Sequence, residues 1–151
     1  MRLTQFSDYA LRTLIYLGAC DDRLVSVTEI ARSYRISYNH LVKVTGRLVE
    51  LGLVEAVRGR GGGLRLAVDP SAIRVGWLIR RTEPDMDLVE CFNSTLDTCP
   101  ITPACRLRHM LKEATQAFLE TLDRYTLADM LAAPEHKRVL IQLWKKSART
   151  A

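Results

Sequence analysis

No apolar run in this 151-residue chain approaches the ~20 residues needed to cross a bilayer. A charged start followed by an apolar stretch and a small-residue cleavage site is also missing, so no secretory leader is expected. These absences predict a cytoplasmic protein with no membrane contact. No glycine-rich cofactor fingerprint follows a predicted strand, and no Ser/His/Asp or paired-carboxylate set stands out, so an enzyme is not expected. Internal repeats and low-complexity tracts are lacking. So are CxxC pairs, the usual chelate of structural zinc, although the chain has four cysteines. What remains is ordinary for a globular protein. Hydrophobic residues at 48% and charged residues at 26% exclude wholesale disorder, and the length allows one core, with or without an appendage.

The net charge of +5 is unevenly spread: residues 1–83 carry +5, residues 84–134 carry −4 and residues 135–151 carry +4. Between Arg58 and Arg65 lie three arginines, four glycines and no acid, a composition that suits a polyanion better than a packed core. The basic C-terminal segment is open between phosphate contact and simple solubility.

The spacing of Phe6, Ala10, Leu14 and Leu17 predicts a helix over residues 4–19, broken by Asp21-Asp22-Arg23. Ser26-Val27-Thr28-Glu29 predicts a capping box and a short second helix ending near Tyr34. Ser37 is expected to cap a third helix that runs to about Leu51 and stops at Gly52. Its apolar face is Leu41, Val44, Leu48 and Leu51; its polar face is Asn39, Lys43, Arg47 and Glu50. The period then changes, and residues 53–57 and 64–67 read as two strands around a glycine-rich tip. A helix is predicted over 75–82, followed by an irregular stretch with prolines and three cysteines. A long helix over about 104–125 carries Leu107, Leu111, Ala114, Phe118, Leu122 and Tyr125 at the steps of a helix–helix seam, and a last helix begins near Glu135.

Two short helices, a tight turn, a third helix with a polar face and an arginine–glycine hairpin make a winged helix–turn–helix pattern. The fold class expected is mainly α with a small β-hairpin wing, and the expected partner is double-stranded DNA. The third helix fits a major groove, where Ser37, Tyr38, Asn39, His40, Lys43 and Arg47 reach base edges or phosphates. The tip Gly59 and Gly61 leave the narrower minor groove unobstructed for Arg58, Arg60 and Arg65.

Cys91-x7-Cys99-x5-Cys105 places three thiols within 15 residues, separated by prolines and short polar residues that let them converge. Three thiolates close together repel one another unless a metal neutralises them. Their spacing is wide for one zinc ion and suits an iron–sulfur cluster. A fourth ligand then comes from Asp8, His109, Cys20 or another chain.

With these residues assembled, the sequence resembles the Rrf family of bacterial winged-helix regulators. The likeness extends to about Leu131. It rests on Met1-Arg2-Leu3-Thr4, Asp8-Tyr9-Ala10-Leu11-Arg12, the wing from Val57 to Leu66 and the three cysteines. Asn39-His40-Leu41-Val42-Lys43-Val44, Ile101 to Leu107 and Leu122 to Asp129 are most similar to a nitric-oxide-responsive branch of that family. The resemblance implies a homodimer paired through the long helix on a palindromic operator. It implies a cluster held by Cys91, Cys99 and Cys105, with Asp8 of the partner subunit as fourth ligand and Arg12 nearby. The favoured cluster is 4Fe–4S, with 2Fe–2S the other form. The implied activity is repression that ends when nitric oxide nitrosylates or removes the cluster. The seven residues between Cys91 and Cys99 match an iron-responsive branch instead. An iron-availability or cluster-status regulator is therefore the alternative, ahead of a redox enzyme or electron carrier. The expected organisation is a winged helix–turn–helix domain (1–83), a cluster-binding loop (84–105), a dimerisation helix region (106–131) and a basic C-terminal tail (132–151).

Overall fold

The computed structural model describes residues 2–149; Met1 of the N-terminal motif and residues 150 and 151 of the basic segment lie outside the described residues. Helix α1 (Gln5–Ala19) begins where the Thr4 hydroxyl accepts the Ser7 amide, and it forms the middle of the molecule. Ser7, Ala10, Thr13, Leu14 and Leu17 are all at most 2% exposed. Against α1 pack α2 (Val27–Tyr34) and α3 (Tyr38–Glu50). Between those two helices Arg35 adopts the left-handed conformation (φ 55°), which ends α2 and reverses the chain within three residues.

Strands β1 (Val54–Val57) and β2 (Gly63–Leu66) pair antiparallel, in register from Val54 opposite Leu66 to Val57 opposite Gly63. A bridge from Val25 to Leu64, near the tip end of β2, ties this hairpin to the α1–α2 connection. The tip depends on glycine at specific places. Gly61 has φ 79°, and a Cβ on Gly62 would lie 2.2 Å from the Val57 carbonyl oxygen. Helix α4 (Val75–Thr82) follows, then a loop over 84–105 with 3-10 turns at Glu90–Phe92 and Thr102–Ala104. The chain ends in α5 (Arg106–Leu122), α6 (Leu127–Leu131) and α7 (Pro134–Arg149). This is the mainly helical, winged architecture expected from the sequence.

Local chemistry departs from expectation in four places. Ser26 caps α2 by accepting the Glu29 amide at 3.1 Å, but the reciprocal half of the capping box is replaced. The Glu29 carboxylate instead takes the Arg23 guanidinium and the Tyr16 hydroxyl, two donors stronger or better buried than an exposed amide. Ser37 sits at the start of α3 without a side-chain cap bond. The expected long helix is shorter, because Cys105 caps it and Asp123 ends it; the capping box actually formed is Thr126 with Asp129, at α6. The seam on α5 also divides. Phe118 and Leu122 pack inside the same chain around Val75, Ile79 and Leu119, whereas Leu107 remains 60% exposed.

The basic C-terminal segment is a docked helix. Trp144 is 6% exposed, with its ring 4.3 Å from that of Tyr16 and 5.6 Å, edge-on, from that of Tyr34. Lys137 pairs with Asp21 at 2.9 Å. Burial pushes the Tyr16 hydroxyl up to about 12, so it stays a neutral donor to Glu29. Trp144→Ala should therefore cost about 3–5 kcal/mol, read as a lower denaturation midpoint; a solvated appendage would give no change. The Arg23 guanidinium holds the Glu29 carboxyl below its ordinary value of 4.5. Its stabilising contribution is present above that value and is lost as pH falls through the lower folded-state value. Acid unfolding curves of wild type and Glu29→Gln should thus converge at low pH and diverge near neutrality.

Candidate nucleic-acid interface and metal centre

Burial of Leu41, Val44 and Leu48 against α1 turns the opposite side of α3 outward. Ser37, Tyr38, Asn39, His40 and Lys43 are all exposed there. Arg47 is half-buried and pairs with Glu50 at 3.1 Å, so it must exchange that partner to meet a phosphate. Val42, 44% exposed, and Gly46, with open space around it, share the outward face one turn beyond Tyr38 and Val42 respectively. An apolar side chain and a bare backbone here suit contact with a thymine methyl and close approach of the duplex. Sequence reading missed both; the available signal was Val42, an apolar residue outside the stripe set by Leu41, Val44 and Leu48.

On the wing, Arg58, Gly59, Arg60 and Gly61 are exposed at the tip. Arg58 and Arg60 form no ion pair among the described residues. Arg65 differs. It stands opposite Glu55 in the register, and the carboxylate accepts its Nε–H at 2.9 Å. Part of its charge is spent on bracing the hairpin, a cross-strand pairing that position alone does not reveal.

The three cysteines are spread through the 84–105 loop. Cys91 is buried in the Glu90–Phe92 turn; Cys99 and Cys105 are half-buried. Asp97 accepts the Cys99 amide at 3.1 Å and the Thr102 hydroxyl at 3.0 Å, which shapes the second turn. Cys105 caps α5, its Sγ accepting the Arg108 amide at 3.4 Å. All four cysteines are free thiols. No group of three potential ligands is gathered within metal distance among the described residues, so the trio shares one loop without being preassembled. Of the fourth-ligand candidates, Asp8 is engaged by Arg12 in a two-point ion pair (2.9 and 2.7 Å) on α1. Cys20 lies in the main core, where burial raises its thiol above the ordinary value and leaves it protonated. His109 is exposed on α5.

Loop and reading helix meet at the start of α1. Glu83, the residue before the loop, accepts the Thr4 amide at 2.9 Å and hydroxyl at 3.0 Å. The Ser7 and Thr82 hydroxyls bond at 2.7 Å, fully out of water. One residue beyond the Ser7–Asp8 step, Tyr9 sets its ring 6.4 Å from that of His40 on α3. The end of α4, from which the loop departs, is thus bonded to the start of α1, and Tyr9 of α1 lies beside the recognition helix.

Comparison with known proteins agrees with this geometry. Residues 3–133 match the Rrf2 family, described as iron-dependent transcriptional regulators. The HTH-type transcriptional regulator NsrR of Shouchella clausii is 47% identical over 143 residues, covering 94% of this chain and 96% of that protein. NsrR of Bacillus subtilis is 46% identical over 144 residues, covering 95% and 99%. Among solved structures, CymR, the global cysteine regulator of B. subtilis, superposes with a TM-score of 0.69 at 27% identity, covering 87% of this chain and 97% of its own. IscR of T. potens gives a TM-score of 0.69 at 27% identity, covering 87% of each.

Substituting Arg58 or Arg60 by Ala should weaken duplex binding by about 1–3 kcal/mol and lower the salt slope by about one unit each. Arg65→Ala should lower that slope by less, because Glu55 already neutralises it. Fluorescence-anisotropy titrations across a salt series separate the two classes.

Proposed function

The chain belongs to the Rrf2 family of transcriptional regulators, and from that premise we propose that it is a repressor that senses nitric oxide through an iron–sulfur cluster. The observation that carries the proposal is the pair of bonds joining the end of α4, from which the cysteine loop departs, to the helix beneath the recognition helix: Glu83 to Thr4, Thr82 to Ser7. The donor set fits the cofactor. Three free thiols share one loop, the only other cysteine is buried and protonated, and Cys105 receives an amide donor suited to an anionic sulfur. Cys91, Cys99 and Cys105 would hold the cluster, 4Fe–4S or 2Fe–2S. When bound, the cluster supplies an iron centre open to nitric oxide.

The remaining steps belong to the chain itself. The thiols draw the 84–105 loop into one closed arrangement, and Glu83 and Thr82 carry that arrangement to α1. Asp8 would be the fourth ligand, donated across a homodimer, and would have to release Arg12 to act; a carboxylate among thiolates is easily displaced, which suits a sensor. The exposed Leu107 and Met110 of α5, 60% and 62% accessible, support pairing through that helix. Pairing sets two recognition helices about 34 Å apart for successive major grooves of a palindrome. There Tyr38, Asn39, His40 and Lys43 read bases while Arg58 and Arg60 follow the minor groove. A bias of a few kcal/mol toward this arrangement is enough for a useful switch.

The second reading is a regulator of iron or cluster status, favoured by the seven-residue Cys91–Cys99 interval. One titration decides. Nitric oxide added anaerobically to cluster-loaded protein should bleach the iron–sulfur absorbance and release operator DNA in parallel. Operator retained after complete nitrosylation, with release only on iron chelation, selects the second reading. Serine at all three cysteine positions should abolish the response in either case; intact responsiveness would end both.

A further inference from the structure

Among the described residues, one buried side-chain polar atom has no hydrogen-bond partner: Nε of Arg108. A guanidinium N–H removed from water with nothing to accept it costs free energy, and a charged donor costs more than a neutral one. Such a group persists in a fold when something else supplies the acceptor. Its position says what that is. Arg108 follows Cys105 by three residues and gives its own amide to the Cys105 sulfur. Helical side chains lean toward the N-terminal end of their helix, so the Arg108 side chain leans back over Cys105. One turn further along the same face of α5, the Lys112 ammonium lies 5.8 Å from the ring centroid of Phe92, the neighbour of Cys91. This face of α5 is therefore the one set against the Cys91 turn. Its helix neighbours Arg106, Leu107, His109 and Met110 are all exposed, and Arg108 alone in that turn is drawn inward.

We propose that Arg108 is a positioning residue of the cysteine site, its guanidinium donating to a sulfur of the anionic group that Cys91, Cys99 and Cys105 hold. The inference rests on the cluster reading above and adds a role for a residue outside the ligand set. A thiolate-ligated iron–sulfur group carries net negative charge that grows on reduction. A fixed cation donating to its sulfurs eases that reduction and resists loss of iron. In the absence of the group the Arg108 Nε–H is left out of water without an acceptor, at a cost to the fold. Arg108 should thus have opposite effects on the two forms of the protein.

The test compares full-length wild type, Arg108→Met and Arg108→Lys, each loaded anaerobically with iron and sulfide. Arg108→Met should lose iron to a chelator about ten-fold faster or more. Its midpoint potential should move to more negative values, while its cluster-free form melts at the same temperature as wild type or higher. Arg108→Lys restores charge without the Nε donor and should recover the potential only in part. Wild-type potential and iron-loss rate in Arg108→Met would overturn the inference. So would a lower melting temperature of the cluster-free variant, because Arg108 would then be a brace of the fold. Wild-type protein that takes up no iron and sulfide would overturn the cluster reading itself, a result distinguishable by simple iron and sulfide content.

Discussion

Burial of α1 on nearly every side is the constraint on which the rest of the structure depends. A helix with Ser7, Ala10 and Thr13 fully excluded from water has no free face along which to slide. It packs against the recognition helix, β2 of the wing, α4, α6 and α7 together, so none of these can shift without repacking the others. Close packing makes such a core respond by discrete rearrangement rather than gradual bending. Position 18 shows how near the neighbours come: a Cβ on Gly18 would lie 2.4 Å from a methyl of Leu131. The outward face of α3 and the wing are thus carried on one packed core.

Polar groups tie the surrounding elements to that core. The bond between Ser7 and Thr82 is buried; without it the Thr82 hydroxyl keeps the Leu78 carbonyl at 3.0 Å, whereas Ser7 keeps only a long contact with the Thr4 hydroxyl at 3.4 Å. Between α4 and α5 the joint is of another kind. Arg80 grips Asp123 at two points, and Gly76 admits the Leu119 carbonyl so closely that a Cβ there would lie 2.7 Å away. The cysteine loop leaves the end of α4, where Thr82 and Glu83 bond to α1, enters α5 through the Cys105 cap, and is shaped in its middle by short side-chain bonds from Asp97. Its thiols share one loop without being preassembled among the described residues.

Several features were legible from residue order because their causes are local. Helix α4 falls on the predicted span of residues 75–82, and the wing hairpin lies within a residue of its expected strands, because periodicity and glycine placement need no distant partner. Exposure of Tyr38, Asn39, His40 and Lys43 followed from the apolar stripe on the other side of α3. Side-chain partners were less legible. Glu29 left its capping box for Arg23 and Tyr16, Arg65 pairs with Glu55 across the hairpin, and Asp8 pairs with Arg12 one turn along α1. Each has a residue type that fits both roles, and only the competing partner's position in space chooses between them.

Residue order by itself determined the reading head: a helix pair, a polar third helix, an arginine–glycine hairpin and a trio of thiols, all set by short-range pattern. Tertiary structure alone decided that the basic C-terminal segment closes the core through Trp144, and that α5 is half packed within its own chain and half left bare. It also decided that Thr82 and Glu83, just before the loop, bond to α1 and that the Nε of Arg108 is buried without an acceptor. The physical reason is the range of the forces involved. Capping, turn formation and amphipathic spacing act over a few residues, whereas burial and charge pairing depend on which surfaces the completed fold brings together.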